Sequence, residues 1–158
     1  MHIIISPYSR ELNNKVPNPK NYPHWNEFIK LVKERFPDIS TVQIGTNKEQ
    51  RLELTDRFIA DADVKSLIPL INESLCWLSV DNFFQHFCFY NKLKNGIVLW
   101  GQSDPALFGY ATNVNLLKSP HYLRPNQGAT WEEAVLEKDA FISAKLLFSI
   151  FERYTGLA

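Results

Sequence analysis

The chain has 158 residues, with 17 Lys and Arg residues against 17 Asp and Glu residues, so its formal net charge is zero when His is neutral. A length of about 150 residues predicts one domain. A hydrophobic fraction of 45% and a charged fraction of 22% exclude intrinsic disorder. The balanced charge gives no electrostatic reason to expect a nucleic-acid partner. No apolar run approaches the roughly 18 residues of a transmembrane helix, and the start of the chain lacks the basic and apolar regions of a signal peptide.

The chain contains two cysteines, Cys76 and Cys88, in apolar surroundings and without a CxxC pattern. This usage favours buried free thiols in a reducing cytoplasm over a disulfide or a pair of metal ligands. The four histidines are scattered and lack the spacing of metal ligands. The sequence therefore predicts neither a metal site nor a cofactor.

The first half of the chain alternates between predicted strands and helices. A β-branched run predicts a strand over 2–6, and a loop with four prolines and four asparagines follows over 7–23. Apolar residues at helical spacing predict a helix from Trp25 to Phe36, before the strand Thr41–Ile44. Residues 52–59 are ambiguous between a helix and an irregular segment.

The second half continues the alternation. Asp81 is predicted to cap the N-terminus of a helix that ends near Leu93. A C-terminal helix is predicted over 139–154, because its apolar residues fall at helical spacing. The other predicted elements are a helix over 64–73 and strands over 75–80, 97–100 and 114–117.

This order of elements predicts a single α/β domain over 1–158, with a Rossmann-like parallel sheet and helices on both faces. Such sheets bind ligands at the carboxyl ends of their strands. Four loops are therefore candidates for a site: 7–23, 45–50, 80–85 and 101–109.

Each loop has a functional and a structural interpretation. The segment from Asp81 to His86 leads from a strand into a capped helix and could bind an anion, or Asp81 could be only a cap and His86 only a core histidine. Lys20 could pair with a phosphate or could lie on a solvated loop. Glu49 could accept a hydrogen bond from a sugar hydroxyl or could be a helix-start acid. Ser103 could contribute to the anion site or to a turn that starts a short helix.

Taken together and in chain order, the loops resemble the C-terminal half of the ADP-heptose:lipopolysaccharide heptosyltransferases. These enzymes are glycosyltransferases with the two-domain B-type fold. The resemblance covers roughly 2–118. It rests on five short motifs: Ile5-Ser6-Pro7-Tyr8-Ser9, similar to a strand that ends in a Pro/Ser loop; Lys20-Asn21-Tyr22-Pro23, similar to Lys-x-Trp-Pro; Val42–Gly45 followed by Glu49; Asp81–His86, similar to Asp-Ser/Thr-Gly-x-x-His; and Leu99–Pro105, similar to Phe-Gly-x-Ser/Thr-Asp-Pro.

The resemblance implies a site for a nucleotide-diphosphate sugar, with an ADP-sugar favoured. Ser9 and Lys20 would then approach the phosphates, and Glu49 would contact the ribose. Ser103 would support the site from behind. The residues implied at the diphosphate and sugar are Asp81, Asn82, Phe83, Gln85 and His86. Phe83 stands where the family has glycine, so we expect it to narrow or close the anion site.

In this family the N-terminal domain binds the acceptor and supplies the catalytic carboxylate, and a chain of 158 residues has no room for it. The sequence therefore nominates no catalytic residue. The first hypothesis is a donor-binding glycosyltransferase domain that works with a separate acceptor domain or as part of a longer chain. The alternatives are a nucleotide binder without turnover, or a scaffold that has lost its ligand and could form an oligomer. Loops that converge on one open cleft would favour a ligand, whereas a cleft filled by Phe83 would favour the scaffold.

Overall fold

The computed structural model describes all residues, 1–158. Six parallel strands form one sheet in the order β3-β2-β1-β4-β5-β6. The strand bounds are β1 His2–Ser6, β2 Ser40–Gly45, β3 Arg57–Ala60, β4 Trp77–Val80, β5 Gly96–Trp100 and β6 Val114–Leu117.

Five α-helices accompany the sheet, and none is long and apolar enough to cross a membrane. Their bounds are α1 Trp25–Arg35, α2 Leu67–Asn72, α3 Phe83–Tyr90, α4 Pro105–Phe108 and α5 Ala144–Thr155.

Two apolar cores, one on each face of the sheet, explain why the central strands are continuous hydrophobic runs. On one face α1 and α5 pack over β1 and β4, and the rings of Phe28 and Phe151 meet edge to face with centroids 5.7 Å apart. On the other face α2 and α3 cover Trp77 and Val98. The predicted Rossmann-like sheet with helices on both faces is confirmed, and the C-terminal helix packs on its own domain.

Strand order reverses at β1, because β2 and β3 lie on one side of it and β4, β5 and β6 on the other. In open parallel sheets, this reversal leaves a crevice at the carboxyl ends of the two central strands. The loops that follow β1 and β4, with Lys20 and Asp81, meet there.

The ambiguous segment 52–59 contains the start of a strand that the sequence did not predict. β3 is an edge strand that pairs only with β2, and its burial pattern has no fully buried residue. An edge strand of four residues with exposed ends gives no clear apolar period, so only the pairing with β2 defines it.

Asp81 is not the cap of α3, which corrects the prediction. Asn82 is the N-cap residue, and its Oδ1 accepts a hydrogen bond from the Phe84 backbone N–H at 2.9 Å. The carboxylate of Asp81 instead pairs with Lys20. Both residues are common caps, and the choice between them is made by the long-range partners that their side chains find.

Two predicted helix bounds also change. α3 ends at Tyr90 and not near Leu93, because Asn91 and Lys92 form a turn that brings Leu93 back to the core. α5 begins at Ala144 and not at 139, since the Ser143 hydroxyl caps it by accepting from the Leu146 N–H.

Candidate functional site

Hydrogen bonds join the loops after β1 and β4, and the side chain of Asn82 makes several of them. Its Nδ2 donates to the hydroxyl of Ser6 at 3.0 Å and to the backbone carbonyl of Tyr8 at 2.9 Å. The hydroxyl of Ser9 donates to the backbone carbonyl of Asp81 at 2.9 Å. These bonds, together with the cap on α3, fix the crevice at the strand-order reversal.

Lys20 and Asp81 form an ion pair at the bottom of this crevice. Lys20 Nζ lies 2.8 Å from Asp81 Oδ2, and the two side chains are only 18% and 7% exposed. The other oxygen, Oδ1, accepts from Gln85 Nε2 at 3.1 Å, so both carboxylate oxygens have a partner. A buried ion pair needs such additional bonds to offset the loss of hydration.

Glu49 lies across the carboxyl end of β2. Its carboxylate occupies the space beside Gly45 that a side chain at position 45 would fill. Burial raises the pKa of Glu49, hydrogen bonds from Thr46 oppose the rise, and the negative charge of Asp61 adds to it. A half-buried carboxylate near a second carboxylate is a strong acceptor for a ligand hydroxyl.

One cavity of about 700 Å³ joins these features, a volume typical of sites for small ligands. Seven of the nine site residues predicted from the sequence line it: Ser9, Lys20, Glu49, Asp81, Asn82, Phe83 and His86. The nucleotide-sugar roles assigned to them remain predictions.

Gln85 and Ser103 do not line the cavity. Gln85 is completely buried and holds Asp81 from behind. Ser103 is 1% exposed, and the following Asp104 caps α4 by accepting from the Ala106 N–H at 2.8 Å. The structural interpretation of this loop, a turn that starts a short helix, is the one that the geometry shows.

Phe83 lines the cavity without filling it. The side chain is 67% exposed, and its ring stacks on that of Phe87 with centroids 6.2 Å apart. His86, one residue from Phe87, shares a 2.7 Å hydrogen bond between Nδ1 and the Tyr110 hydroxyl. The cleft is therefore open beside the N-terminus of α3, which is the arrangement that favours a ligand.

Sequence reasoning missed two parts of the cavity wall. The first consists of residues from β3 to α2, namely Ile59, Asp61, Ala62, Val64 and Leu67. The second is Trp131, which lies in a 3-10 turn over Trp131–Glu133. The long irregular segment after β6 has no periodicity that could have indicated its position, and only tertiary contacts bring Trp131 to Lys20.

Each lysine and arginine of the cavity wall is paired with a carboxylate. Lys20 pairs with Asp81, and Arg10 pairs with Glu132 at 3.2 Å. Glu49 and Asp61 have no cationic partner. No group of three or more His, Cys, Asp or Glu side chains is placed to hold a metal ion.

The sequence matches no protein-family model and no curated protein. The structure, however, is similar to that of ADP-heptose LPS heptosyltransferase II from E. coli, with a TM-score of 0.67 at 14% identity. The chain has a heptosyltransferase-like fold. That match covers 99% of this chain and 46% of the other, so the chain spans less than half the length of that enzyme.

Two further structures share the heptosyltransferase-like fold. E. coli heptosyltransferase WaaC, solved with ADP, has a TM-score of 0.64 at 13% identity, over 97% of this chain and 44% of that one. The dodecameric, iron-containing E. coli heptosyltransferase TibC, solved with ADP-D-β-D-heptose, has a TM-score of 0.62 at 10% identity, over 90% of this chain and 35% of that one. At these identities the similarity establishes the fold, and the chemistry must be argued from the site.

Proposed function

We propose that the chain binds a nucleotide-diphosphate sugar, with an ADP-sugar favoured, as the donor-binding unit of a glycosyltransferase. The observation that carries this proposal is the single 700 Å³ cavity that joins Glu49 at the end of β2 to Lys20 and Asp81 at the strand-order reversal. A heptosyltransferase-like fold supports it.

Two regions of the cavity wall suggest how the ligand lies. On the side of β2 and β3, apolar side chains such as Ile59 and Leu67 lie in the same wall as Glu49. The apolar side chains would pack against the base, and Glu49 would accept a hydrogen bond from a ribose hydroxyl. The N-terminus of α3 and Lys20 lie on the other side, which suits the diphosphate. In sugar transfer, these groups would stabilise the leaving diphosphate while the acceptor displaces it at the anomeric carbon.

Transfer in this proposal requires an acceptor-binding domain that faces the cavity. Large apolar side chains are exposed on the cavity wall and on the segments that follow β5 and β6: Phe83 at 67%, Leu107 at 64% and Val135 at 75%. A second domain or a partner chain that covered them would remove this apolar area from water. We place the assembly in the cytoplasm, because Cys76 and Cys88 are both free thiols.

A second candidate function, binding of a nucleoside or a nucleoside monophosphate without transfer, is favoured by the charges of the cavity wall. Both cations in the wall, Arg10 and Lys20, are already paired with a carboxylate, and the two unpaired charges, Glu49 and Asp61, are negative. A ligand without a diphosphate would leave the Lys20–Asp81 pair intact.

Calorimetric titration with adenosine, AMP, ADP and ADP-glucose separates the two functions, with UDP and GDP as controls for the base. A donor site predicts that affinity rises from adenosine to ADP and is retained or improved with ADP-glucose. Equal affinities for adenosine and ADP would favour the second function. Absence of binding by every nucleotide at millimolar concentration would contradict both functions and favour a scaffold.

A matched pair of lysine variants tests the role of the crevice. Lys20→Met should weaken ADP binding by about 10- to 150-fold, as for the loss of a charged hydrogen bond. Lys30→Met is the control, since Lys30 is an exposed lysine on α1, 67% exposed and 3.8 Å from Glu34. An unchanged ADP affinity of Lys20→Met would remove Lys20 from the diphosphate site.

A further inference from the structure

Trp131 is the one residue of the cavity wall that comes from the segment between β6 and α5. Its ring centroid lies 3.6 Å from the guanidinium carbon of Arg124 and 4.9 Å from Lys20 Nζ. The indole ring is thus a second partner of the ammonium group that pairs with Asp81. Cation–π contacts of this kind are attractive and are strongest when the cation is shielded from water.

The position of Trp131 is fixed by bonds on either side of it in the chain. The neighbouring Glu132 carboxylate accepts from Arg10 Nη1 at 3.2 Å and from the Asn13 backbone N–H at 3.2 Å. Arg124 donates to the backbone carbonyls of Thr130 and Ala129, both at 3.0 Å. The ring is therefore held against Lys20 before any ligand enters.

This contact matters because Asp81 and a phosphate compete for Lys20. In the free protein the ammonium group is bound by the Asp81 carboxylate. A diphosphate that entered the crevice would have to draw it away, and a lysine side chain released in this way regains conformational freedom. The ring of Trp131 carries no charge, so it can hold the ammonium group in both arrangements without competing with the phosphate.

We infer that Trp131 is a positioning residue, which holds the Lys20 ammonium group in the crevice so that it can pass from Asp81 to the diphosphate of the ligand. This inference rests on the proposed function. It predicts that Trp131 contributes to recognition of the diphosphate and not to recognition of the nucleoside.

Tryptophan fluorescence reports on this contact directly. The chain has four tryptophans, and Trp25, Trp77 and Trp100 are at most 2% exposed, so Trp131 is the one that ligands can reach. Emission of the wild-type protein should change with ADP and with inorganic pyrophosphate but not with adenosine. Trp131→Leu should abolish the change. A response to adenosine as large as the response to ADP, or no response to ADP in a protein that binds it, would overturn the inference.

Affinities measured by calorimetry provide a second test of the role of Trp131. Trp131→Leu should weaken ADP binding by about 2- to 30-fold and leave adenosine binding unchanged, whereas Trp131→Phe, which keeps an aromatic ring, should restore most of the ADP affinity. Equal losses for adenosine and ADP would show a merely structural role and overturn the inference. An unchanged ADP affinity in Trp131→Leu would also overturn the inference, but it would leave the proposed function intact. Failure of the wild-type protein to bind any nucleotide would instead remove the proposed function, and this inference with it.

Discussion

The Glu49 carboxylate lies where a Cβ atom of residue 45 would be. A methyl group added to Gly45 would overlap the Glu49 carboxylate and come within 2.9 Å of its Cδ. Gly45 is therefore needed for space and not for an unusual backbone conformation, since its φ is not in the left-handed region. The last residue of β2 thus determines where the acid that follows it can lie.

We expect Gly45→Ala to displace Glu49 and weaken nucleotide binding while the fold is retained, because the group in conflict is the far end of a flexible side chain. The loss should resemble that of Glu49→Gln, at about 1 to 3 kcal/mol of binding free energy measured by calorimetry with ADP. Glu49→Gln is the matched control, since it removes the charge without the steric conflict. Wild-type affinity in Gly45→Ala would show that the position of Glu49 is unimportant for the ligand.

The Lys20–Asp81 pair should contribute to stability mainly through the cost of leaving Asp81 unpaired. Lys20→Met leaves a carboxylate that is 7% exposed without its cation, so we expect a loss of about 3 to 5 kcal/mol in the free energy of unfolding. Asp81→Asn in the same chain should recover most of this loss. Urea unfolding of the two single variants and the double variant gives the coupling energy, and a value near zero would contradict a strong interaction between the two side chains.

Asn82 should be sensitive to two separable losses. Asn82→Ser keeps a hydroxyl acceptor for the Phe84 N–H but loses the donors to Ser6 and Tyr8. Asn82→Ala loses both, so it should be less stable than Asn82→Ser by about 1 kcal/mol, the usual contribution of an N-cap. Thermal and urea unfolding of the pair measure this difference. If Asn82→Ala were as stable as Asn82→Ser, the cap would contribute nothing to α3.

Glu49 should make the stability of the protein depend on pH. Burial first, and then the charge of Asp61, raise the pKa of Glu49 in the folded protein, so the folded state binds a proton more tightly than the unfolded state does. The contribution of Glu49 to the free energy of unfolding is therefore most favourable below the ordinary carboxyl range. It declines as the pH rises from that range through the raised pKa.

The measurement is the difference in unfolding free energy between wild type and Glu49→Gln, taken at several acidic and neutral pH values. Because both proteins share every other titrating group, the difference isolates Glu49. We expect the wild type to lose stability relative to Glu49→Gln as the pH rises. If the stability difference between the two proteins stayed constant, or if the wild type gained stability relative to Glu49→Gln as the pH rose, the pKa of Glu49 would not be raised in the folded protein.

The amino-acid sequence by itself determined the fold class and seven of the residues that line the cavity. Runs such as Ile3–Ile5 and Ile97–Trp100 are buried on both faces, which only a sheet covered by helices on both sides allows. The rule that parallel sheets bind ligands at their carboxyl edge then selected the loops that hold Lys20, Glu49 and Asp81. The fold prediction is confirmed because it depends on local period and strand direction, and these three residues lie in the wall of one cavity.

The tertiary structure alone decided which partners these side chains have. Asp81 and Asn82 are both suitable caps, and only the approach of Lys20, 61 positions earlier than Asp81, assigns one to the ion pair and the other to the helix. Residues 57–60 form strand β3 because their backbone pairs with β2. Trp131 reaches the cavity because Arg10 and Arg124 hold its segment there. The Lys20–Asp81 and Arg10–Glu132 contacts join residues far apart in the chain, and no local pattern encodes such a contact, because its energy arises only when the chain has folded.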